Sequence, residues 1–542
     1  MVRMILLLLY ILVTPSISLP NLVYILVDDL GWNDVPWHNP AVLMPNINTM
    51  AQSGLILEQS YSQPTCSPSR AALLTGYYPY RTGYQFIPPN NNEPVGLPTS
   101  FKILPEYLAK LGYSSHALGK WHQGYCSPEY LPQNRGFDSF YGFWTGEGLH
   151  RIHEDFGDMH QPLATIGYDF HDNDKLALAA LGTYTSDLFV ERVNNILADR
   201  AGIEKDQEEY YQGEVEIENY NTSNPFFLYL AYQNVHVPLE VQPKFEALYP
   251  NEEDPARRTY LGMASAVDDS IGRIVNHLKR FSYSQGWVKK NLFEDTVFIF
   301  SSDNGGMSSG LGYGGGSNTP LRGRKGDTWE GGCRVPAFIT NINQTGVYNE
   351  MFHFTDWLPT IYAGMLGANI DDLGDIDGLN QWEVMQKTKE PVRSEIVYDI
   401  ANFQNTNFTY YMRSNWPADF ILDGSFGAAI RVDNYKLLLG CSTIIGCARN
   451  YNDTWEGNTS PDRTLLYDLD NDPEEQVDLA ETLPHVVEDL KMRLDVHLAK
   501  AVKPIHVPND PTGLPNNHFP PGQFFTGWCE AIDKPKLDET FQ

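Results

Sequence analysis

A cysteine stands at the start of a small-residue segment that has the pattern of a helix. Residues 66–70 read CSPSR, and residues 71–76 continue as AALLTG. Because the first turn of a helix leaves N–H groups unpaired and carries the positive end of the helix dipole, a reactive side chain there would face an anion. Arg70 adds a planar, permanent cation. These residues alone leave two interpretations open: a reactive Cys66, and a buried or disulfide-bonded cysteine before a helix.

Oxygen-bearing side chains follow two short apolar runs that are typical of buried parallel strands, residues 22–27 and 296–300. The side chains are Asp28, Asp29, Asp303 and Asn304. Ligands bind at the carboxyl ends of strands in open α/β sheets, and oxygen donors favour Ca²⁺ or Mg²⁺ over Zn²⁺. Solvated loop acids are the alternative for the first pair alone. The second pair, at an equivalent strand end, favours a shared metal site.

Five basic side chains are candidates for the same rim. They are Arg70, Lys120, His122, His236 and Lys325. Three permanent cations and two imidazoles beside a metal would form a cage for a tetrahedral oxyanion ester. The glycine-rich stretch before Lys325 is not a phosphate-binding loop, because no Gly-Lys-Ser/Thr follows at the required spacing. For any one of these residues a surface or structural role is the simpler explanation, but five together favour the cage.

The elements that must position these residues predict an α/β fold. Residues 113–118 and 225–231 read as further strands, and residues 101–111, 185–198 and 257–280 as helices. We expect a large mixed, mostly parallel sheet flanked by helices, with a smaller C-terminal domain of antiparallel sheet plus helix. The expected divisions are a signal peptide at 1–18, a catalytic domain at 19–390, and a C-terminal α+β subdomain and tail at 391–542.

The composition and the N-terminus indicate the secretory route. Residues 1–18 have a basic start, a short apolar run and small residues at a cleavage point, as a signal peptide does. Five glycosylation sequons fit that route, at Asn221, Asn343, Asn407, Asn452 and Asn458. The formal net charge of −30 disfavours partners such as nucleic acid or an anionic membrane. We expect a lysosomal or extracellular protein.

The six cysteines and one acidic pair carry structural expectations. In an oxidising compartment most cysteines pair. Cys441 with Cys447, and Cys126 with Cys529, are the pairings we consider, with Cys333 as a buried small residue, although sequence does not determine pairing. Residues 268–269, both Asp, fall in the middle of a predicted helix, and a solvated polar face is the expected explanation. The helix predicted at 484–501 precedes a tail that we expect to be irregular.

Taken together, these motifs resemble the formylglycine-dependent type I sulfatases of the alkaline phosphatase superfamily, and most closely the arylsulfatase B group. CSPSR fits that family's Cys-x-Pro-x-Arg signature, in which the cysteine is oxidised to formylglycine. Further blocks of the family are similar to LLTG at 73–76, GKWH at 119–122, VHVP at 235–238 and SDNGG at 302–306. The similarity runs from about Asn21 to the DPEE turn at 472–475, nearly the whole mature chain.

The resemblance implies a cofactor set and a role for each site residue. One Ca²⁺ ion would be held by Asp28, Asp29, Asp303, Asn304 and the modified Cys66. The hydrated aldehyde at position 66 would attack sulfur, aided by the metal and Arg70. His236 with Lys325 would protonate the leaving group, and His122 would then remove a proton from the second hydroxyl to expel sulfate. Lys120 and Lys325 would hold the sulfate oxygens. A formylglycine-generating enzyme would be the maturation partner.

Several alternatives for the function stay open at the level of sequence. The expected substrate is a sulfated sugar of the N-acetylgalactosamine 4-sulfate type or a small aryl sulfate, and a glucosinolate is an alternative. A phosphate or phosphonate hydrolase of the same superfamily is the nearest rival, but such enzymes usually carry Ser or Thr and two metals with His ligands. A secreted, non-catalytic protein that binds sulfated glycans through an unconverted Cys66 is a further alternative. Oligomeric state is not predicted.

Overall fold

The computed structural model describes most of the chain, and its secondary structure follows the predicted order. The described residues are 19–85, 88–155, 167–202, 215–217, 224–285, 288–308, 314–402, 426–440, 463–507, 510, 516–519, 522–524 and 529. The predicted signal peptide, the Cys441–Cys447 pairing and the sequons at Asn221, Asn407, Asn452 and Asn458 lie outside these residues. Asn343 lies within them and is exposed.

Short and long strands together make up the β structure of the described residues. They are β1 (Asn21–Val27), β2 (Leu55–Leu57), β3 (Ser60–Tyr61), β4 (Ser114–Lys120), β5 (Ser139–Phe143), β6 (Glu154–Asp155), β7 (Gly167–Tyr168), β8 (His171–Asp172), β9 (Lys175–Leu176), β10 (Val215–Ile217), β11 (Phe226–Tyr232), β12 (Phe281–Gln285), β13 (Val288–Asn291), β14 (Thr296–Ser302), β15 (Ala337–Thr340), β16 (Gly346–Tyr348), β17 (Phe352–His353), β18 (Glu395–Asn402), β19 (Phe426–Val432), β20 (Tyr435–Gly440), β21 (Thr464–Asp468), β22 (Asn516–Phe519) and β23 (Gly522–Phe524).

The described α-helices range from single turns to one of 26 residues. They are α1 (Pro45–Gln52), α2 (Cys66–Thr75), α3 (Pro79–Thr82), α4 (Leu104–Leu108), α5 (Thr185–Ala201), α6 (Pro243–Glu246), α7 (Pro255–Arg280), α8 (Glu330–Cys333), α9 (Trp357–Pro359), α10 (Trp382–Met385) and α11 (Pro484–Leu498). Short 3-10 turns span Ala109–Leu111, Pro128–Tyr130, Pro132–Arg135, Leu178–Ala180, Phe354–Asp356 and Ile370–Leu373, and a π-helical turn spans Thr360–Met365. Within the part of the chain that the structure describes, no helix has the length and hydropathy to cross a bilayer.

A ten-stranded sheet forms the centre of the fold, in the order β16-β2-β15-β14-β1-β11-β4-β5-β8-β9. The five strands β14, β1, β11, β4 and β5 are parallel to their neighbours in this run, and β15 and β8 flank them in antiparallel orientation. The predicted mixed, mostly parallel sheet is therefore confirmed. Parallel pairing brings the carboxyl ends of these five strands to one edge.

Helices cover both faces of this sheet because alternate residues of each strand point to opposite sides. Tyr24 and Leu26 of β1 pack in one apolar core with Leu73 and Leu74 of α2. Ile25, on the opposite face, belongs to a second core that includes residues of α1, α5 and α7. Every residue of β1 is buried, as its continuous apolar pattern predicts.

A second, antiparallel sheet forms the C-terminal part, in the order β18-β19-β20-β21. Its first strand begins at Glu395, a few residues after the boundary proposed at 390. Ile430 packs with Leu490 and Leu494 of α11 on one face. Tyr398 on the other face packs against Tyr61 and Trp329, which belong to the N-terminal part. The expected C-terminal sheet plus helix is confirmed.

Three local expectations need correction. The tail is not irregular throughout, because β22 and β23 pair with each other and β23 pairs with β7. Asp268 does not lie on a solvated face, because only 3% of it is exposed. Its carboxylate accepts hydrogen bonds from the Ile47 N–H at 2.8 Å and from Asn46 Nδ2 at 2.8 Å. The spacing of apolar residues in α7 does not show that α1 packs against the helix face that carries Asp268.

The cysteine expectations that fall on described residues are confirmed. Cys126 and Cys529 form a disulfide, which ties the tail to the N-terminal part. Cys333 is a free, fully buried thiol. Cys66 is also free and buried, so the alternative in which it is disulfide-bonded is excluded in this structure.

Candidate active site

The register of the central strands brings the oxygen-bearing side chains together. Val27 of β1 pairs with Ser302 of β14, so the residues that follow these two strands lie at the same point of the sheet edge. The Asp29 N–H donates to Asp303 Oδ1 at 3.2 Å, and Asn304 Nδ2 donates to Asp29 Oδ1 at 2.7 Å. Each of the four side chains is at most 3% exposed; they are Asp28, Asp29, Asp303 and Asn304. The sequence-based placement of this group is therefore reproduced.

Two buried cations pair with the carboxylates of Asp28 and Asp303. Lys120 Nζ donates to Asp28 Oδ2 at 2.5 Å. Arg70 Nη2 donates to Asp303 Oδ2 at 2.8 Å and lies 3.6 Å from Asp28 Oδ2. Burial opposes ionisation of Asp28, but Lys120 and the neighbouring cations lower its pKa overall. Burial and the nearby Asp28 charge raise the pKa of Asp303, so the two acids differ although they share Arg70.

Cys66 is the first residue of α2 and faces an imidazole. Its Sγ lies 3.4 Å from His122 Nδ1, and the side chains of both residues are buried. Burial raises the pKa of the Cys66 thiol, which disfavours the thiolate. Burial, followed by the charge of Lys120, lowers the pKa of His122 well below its ordinary value. A neutral thiol beside a neutral imidazole is a poor nucleophile of the cysteine type.

His236 and Lys325 approach the group from its open side, through Asp29. Lys325 Nζ lies 2.8 Å from Asp29 Oδ1, and His236 Nε2 lies 3.8 Å from Asp29 Oδ2. Burial opposes the charge of Lys325, yet Asp29 raises its pKa, so this side chain stays cationic. Burial and Lys325 lower the pKa of His236, whereas Asp29 and Asp28 raise it. Four of the five predicted basic residues thus contact the acidic group, and the fifth, His122, contacts Cys66.

Backbone geometry at two of these residues is unusual. Asp29 and His122 have positive φ angles of 61° and 54°, which few non-glycine residues adopt and which concentrate at functional sites. Gly119, three positions before His122, has φ of 100°, and a Cβ there would lie 2.0 Å from the Ala231 carbonyl oxygen. The absence of a side chain therefore lets the end of β4 approach β11.

The described residues fit a hard cation at this edge. Asp28 Oδ1 and Asn304 Oδ1 are buried without a hydrogen-bond partner, a costly arrangement unless another group takes these oxygens. The nearby donors are mainly carboxylate and amide oxygens, which suit Ca²⁺. The ligand atoms of Asp28, Asp29 and His236 also lie within 4.8 Å of one another. The structure therefore places the His236 imidazole beside a candidate metal site that the sequence predicted from carboxylate and amide oxygens alone.

Two acidic residues in or beside the site were missed by sequence reasoning. Glu147 Oε2 lies 3.7 Å from His236 Nδ1. The residue falls in a segment with no clear periodicity, directly after β5, so its only signal was its position just beyond a strand end. Asp169, also missed, is buried and accepts from the N–H groups of Trp144 and Thr145. It fixes the start of the loop that carries Glu147.

Comparison with known proteins identifies the group to which this arrangement belongs. Residues 20–368 match the family model described as Sulfatase. The chain belongs to the type I sulfatase family. This sulfatase is 32% identical to arylsulfatase J of Mus musculus over 539 residues, which cover 96% of this chain and 82% of that relative. It is 30% identical to N-acetylgalactosamine-6-sulfatase of Homo sapiens over 375 residues, 67% of this chain and 65% of that relative.

Solved structures agree with this assignment. The crystal structure of Ps i-CgsB matches the sulfatase with a TM-score of 0.69 and 27% identity, covering 91% of this chain and 95% of that one. The PsFucS1 sulfatase from Pseudoalteromonas sp. matches with a TM-score of 0.61 at 22% identity, covering 89% and 90%, and shows the shared fold. The family resemblance read from the motifs is thus confirmed, whereas the closer likeness to the arylsulfatase B group is not specifically supported. The sulfatase is an enzyme that hydrolyses sulfate esters.

Proposed function

We propose that this sulfatase cleaves the sulfate ester of a sulfated sugar, of the N-acetylgalactosamine 4-sulfate type, or of a small aryl sulfate, with Cys66 matured to formylglycine and one bound Ca²⁺. The observation that carries the proposal is the position of Cys66. It begins α2 at the carboxyl edge of the parallel strands, 3.4 Å from His122 and among buried cations and carboxylates. An unmodified thiol is poorly activated there, because burial raises its pKa.

The cation and the modified residue have a defined place in this proposal. The residues that would hold Ca²⁺ are Asp28, Asp29, Asp303, Asn304 and the modified Cys66. When present, formylglycine supplies a hydrated aldehyde oxygen as nucleophile, and the cation stabilises its negative charge. The unpartnered oxygens of Asp28 and Asn304 support this ligand set. We assign His236 to proton transfer, as the family resemblance implies. Its Nδ1 donates to the Val237 carbonyl at 2.6 Å, which leaves Nε2 as the nitrogen that faces the site.

The basic residues divide between binding the sulfate group and moving protons. Lys120 and Lys325 would hold sulfate oxygens, and Arg70 would neutralise charge at residue 66. His236, with Lys325 beside it, would give a proton to the departing alcohol oxygen. His122, which faces residue 66, would remove the proton whose loss releases sulfate. His122 is thus assigned to the proton at residue 66, which it faces, and His236 to the proton of the departing group, on the side of Asp29.

The names of the relatives support a sulfated sugar or an aryl ester as substrate. Two of them are called arylsulfatase J and N-acetylgalactosamine-6-sulfatase. Ps i-CgsB has also been solved in complex with k-i-k-neocarrahexaose. A substrate of the arylsulfatase B type is the finer proposal, and a glucosinolate is the alternative. The loops that we expect to select the substrate are 146–168, 305–319 and 402–421, and each lies partly outside the described residues.

An ester-preference assay tests the proposed reaction. The purified protein should release sulfate from para-nitrophenyl sulfate much faster than phosphate from the matching aryl phosphate. Cys66→Ala should lower turnover by more than about a thousandfold, and His236→Ala by about a hundredfold, because a nucleophile and a general acid are lost. The control is His485→Ala, whose side chain is exposed on α11. A preference for phosphate, or full activity of Cys66→Ala, would refute the proposal.

Intact-mass analysis of the peptide that contains Cys66 tests the maturation step. Conversion to formylglycine by a formylglycine-generating enzyme lowers the mass relative to the thiol. If Cys66 is entirely unmodified in the native protein, the non-catalytic glycan-binding alternative is favoured. Membership of the sulfatase family argues against that alternative. Screening the converted enzyme on sulfated disaccharides, aryl sulfates and glucosinolates would then identify the substrate class.

The proposed location is the secretory route, with a lysosomal or extracellular destination. The Cys126–Cys529 disulfide supports an oxidising compartment. The sequon at Asn343 lies at an exposed position, where a glycan could be attached. Digestion of the secreted protein with a glycosidase, followed by mass analysis of the Asn343 peptide, would test this part of the proposal.

A further inference from the structure

The Asn318 side chain links three backbone segments that carry proposed metal ligands and Lys325. Its Oδ1 accepts hydrogen bonds from the Gly306 N–H at 2.9 Å and the Trp32 N–H at 3.3 Å. Its Nδ2 donates to the Gly306 carbonyl at 2.9 Å and to the Gly323 carbonyl at 3.2 Å. The residue is 5% exposed. Both polar atoms of this buried amide are therefore satisfied by backbone groups.

The backbone groups that Asn318 holds lie close in the chain to the site side chains. The N–H at position 32 is three residues after Asp29, and both groups at position 306 are two residues after Asn304. The carbonyl at position 323 is two residues before Lys325, whose own N–H donates to the Gly306 carbonyl at 3.3 Å. One amide thus fixes the segments that follow β1 and β14 relative to each other and to the Lys325 segment.

A second buried side chain, Tyr260 of α7, also holds the turn after β1. Its hydroxyl accepts from the Gly31 N–H at 3.1 Å and lies 2.9 Å from the Asp29 carbonyl oxygen. It also lies 2.8 Å from Asp34 Oδ2, so its single proton has two acceptors within reach. Asp29 has a positive φ of 61°, which costs free energy unless surrounding contacts impose it. The contacts of Tyr260 contribute to that constraint.

The turns after β1 and β14 are packed too closely to move independently. A Cβ at Gly306 would lie 2.9 Å from Gly31 Cα, and a Cβ at Gly31 would overlap the Ser317 carbonyl oxygen. Backbone therefore contacts backbone at both places, beside the hydrogen bonds of Asn318. A movement of one turn would displace the proposed ligands on the other.

We propose that Asn318, together with Tyr260, is a positioning residue that holds the proposed calcium ligands in place before the cation binds. This inference rests on the proposed function, in which Asp29 and Asn304 are among the ligands of one Ca²⁺. Without these contacts only a fraction of the molecules would present the assembled ligand set. The apparent dissociation constant for calcium would then rise by the inverse of that fraction, and a high calcium concentration would restore the assembled site.

The test measures calcium affinity directly in wild type, Asn318→Ala, Tyr260→Phe and Asn341→Ala. Each full-length protein is dialysed at a series of defined free calcium concentrations, and bound calcium per chain is measured by elemental analysis. The mass of the peptide that contains Cys66 ensures that only samples with equal formylglycine content are compared. Thermal unfolding of the calcium-free proteins records the effect of each substitution on the fold.

Asn341 provides a matched control, because its amide also holds backbone beside β14 but at the opposite end of the strand. Its Nδ2 donates to the Phe293 and Thr296 carbonyls, each at 2.9 Å. Thr296 is the first residue of β14, whereas the site follows the last residue, Ser302. Asn341→Ala therefore removes the same kind of hydrogen bond at a distance from the site.

We expect Asn318→Ala to raise the calcium dissociation constant by about tenfold or more, and Tyr260→Phe by about threefold or more. With calcium in large excess, kcat of Asn318→Ala on para-nitrophenyl sulfate should lie within about threefold of wild type, because the bound cation reassembles the site. Asn341→Ala should bind calcium as tightly as wild type does, even if its unfolding temperature falls.

Wild-type calcium affinity in Asn318→Ala would overturn the inference, whatever its unfolding temperature, and would assign the residue to stability alone. An equal loss of affinity in Asn341→Ala, or a loss of turnover that excess calcium does not restore, would also overturn it. If Asn318→Ala does not fold, Tyr260→Phe decides, and wild-type affinity there would overturn the inference. These outcomes leave the proposed function intact, whereas a wild type that binds no calcium would overturn both.

Discussion

At the scale of single residues, the site buries charged side chains whose burial would be unfavourable without partners of opposite charge. Arg70, Asp28 and Asp303 are each completely buried, and Lys120 is 1% exposed. Burying an ion costs several kcal/mol unless it is paired, and here each carboxylate has a cation within 3 Å. The pairs thereby offset the cost of burying these charges, which would act strongly on an anionic ester in a buried site.

The residue-scale prediction concerns the metal. Asp28→Asn should weaken calcium binding by at least about tenfold, because it removes one negative charge from the proposed ligand set. Bound calcium per chain, measured by elemental analysis after dialysis at defined free calcium, is the readout. Asp269→Asn serves as the control, because its carboxylate lies on α7 and is 42% exposed. Unchanged calcium content in Asp28→Asn, with a native unfolding temperature, would contradict the proposed ligand set.

At the scale of elements, the position of each site residue follows from its place just after a strand or at the start of a helix. The β1 and β14 ends supply the acids, β4 leads into Lys120 and His122, and β11 leads toward His236. α2 is buried along its whole length, which fixes Cys66 at the sheet edge. The contact between α1 and α7 supports this arrangement from the opposite face through Asp268.

The element-scale prediction concerns Asp268 and pH. Burial raises its pKa from 3.8 to about 6, although hydrogen bonds from Ile47 and Asn46 lower it. The folded state therefore binds a proton more tightly than the unfolded state, so this group's stabilising contribution is full below about pH 4 and is lost as the pH rises through 6. The corresponding decrease in the free energy of unfolding is about 3 kcal/mol at most. Asp268→Asn should remove this dependence.

The measurement is the thermal unfolding midpoint of wild type and Asp268→Asn at a series of pH values from 4 to 7. The advantage of wild type over the variant should shrink as the pH rises across this range. Asp269→Asn, at the exposed neighbouring position, should run parallel to wild type. A constant difference between wild type and Asp268→Asn at every pH would show that Asp268 does not titrate in this window.

At the scale of the whole molecule, a buried ion group joins the C-terminal sheet to the N-terminal part. Lys436 of β20 lies 2.9 Å from Glu330 of α8 and 2.8 Å from Glu475, and all three side chains are fully buried. Glu330 also accepts hydrogen bonds from Tyr61 and Tyr398. Because α8 follows the segment of Lys325, this junction also supports one wall of the site.

The whole-molecule prediction is that Lys436→Met destabilises the protein by about 3–5 kcal/mol, since it removes the cation that two buried carboxylates share. Differential scanning calorimetry should show a lower unfolding temperature. Lys500→Met, at an exposed position after α11, should change stability by less than about 0.5 kcal/mol. A Lys436→Met protein as stable as wild type would mean that the ion group does not hold the two parts together.

The sequence by itself determined the parts of the protein that depend on local pattern. Continuous apolar runs identified β1, β11 and β14. The polar residues directly after them predicted a candidate site at one edge of the sheet, because parallel strands share one carboxyl edge. The CSPSR motif singled out Cys66, and the family resemblance predicts its conversion to formylglycine. Helix α7 was predicted to within two residues at its start, since its apolar spacing extends over seven turns.

Only the tertiary structure decided the contacts between segments that are distant in the chain. Asp268 was misread because its partners lie 221 and 222 residues away on α1. Glu147 was missed because the loop that carries it is held by backbone contacts with Asp169, Gln233 and Glu240, and has no periodicity of its own. A pattern constrains which face of an element is apolar, but burial and pairing of a single polar group depend on what packs against that face.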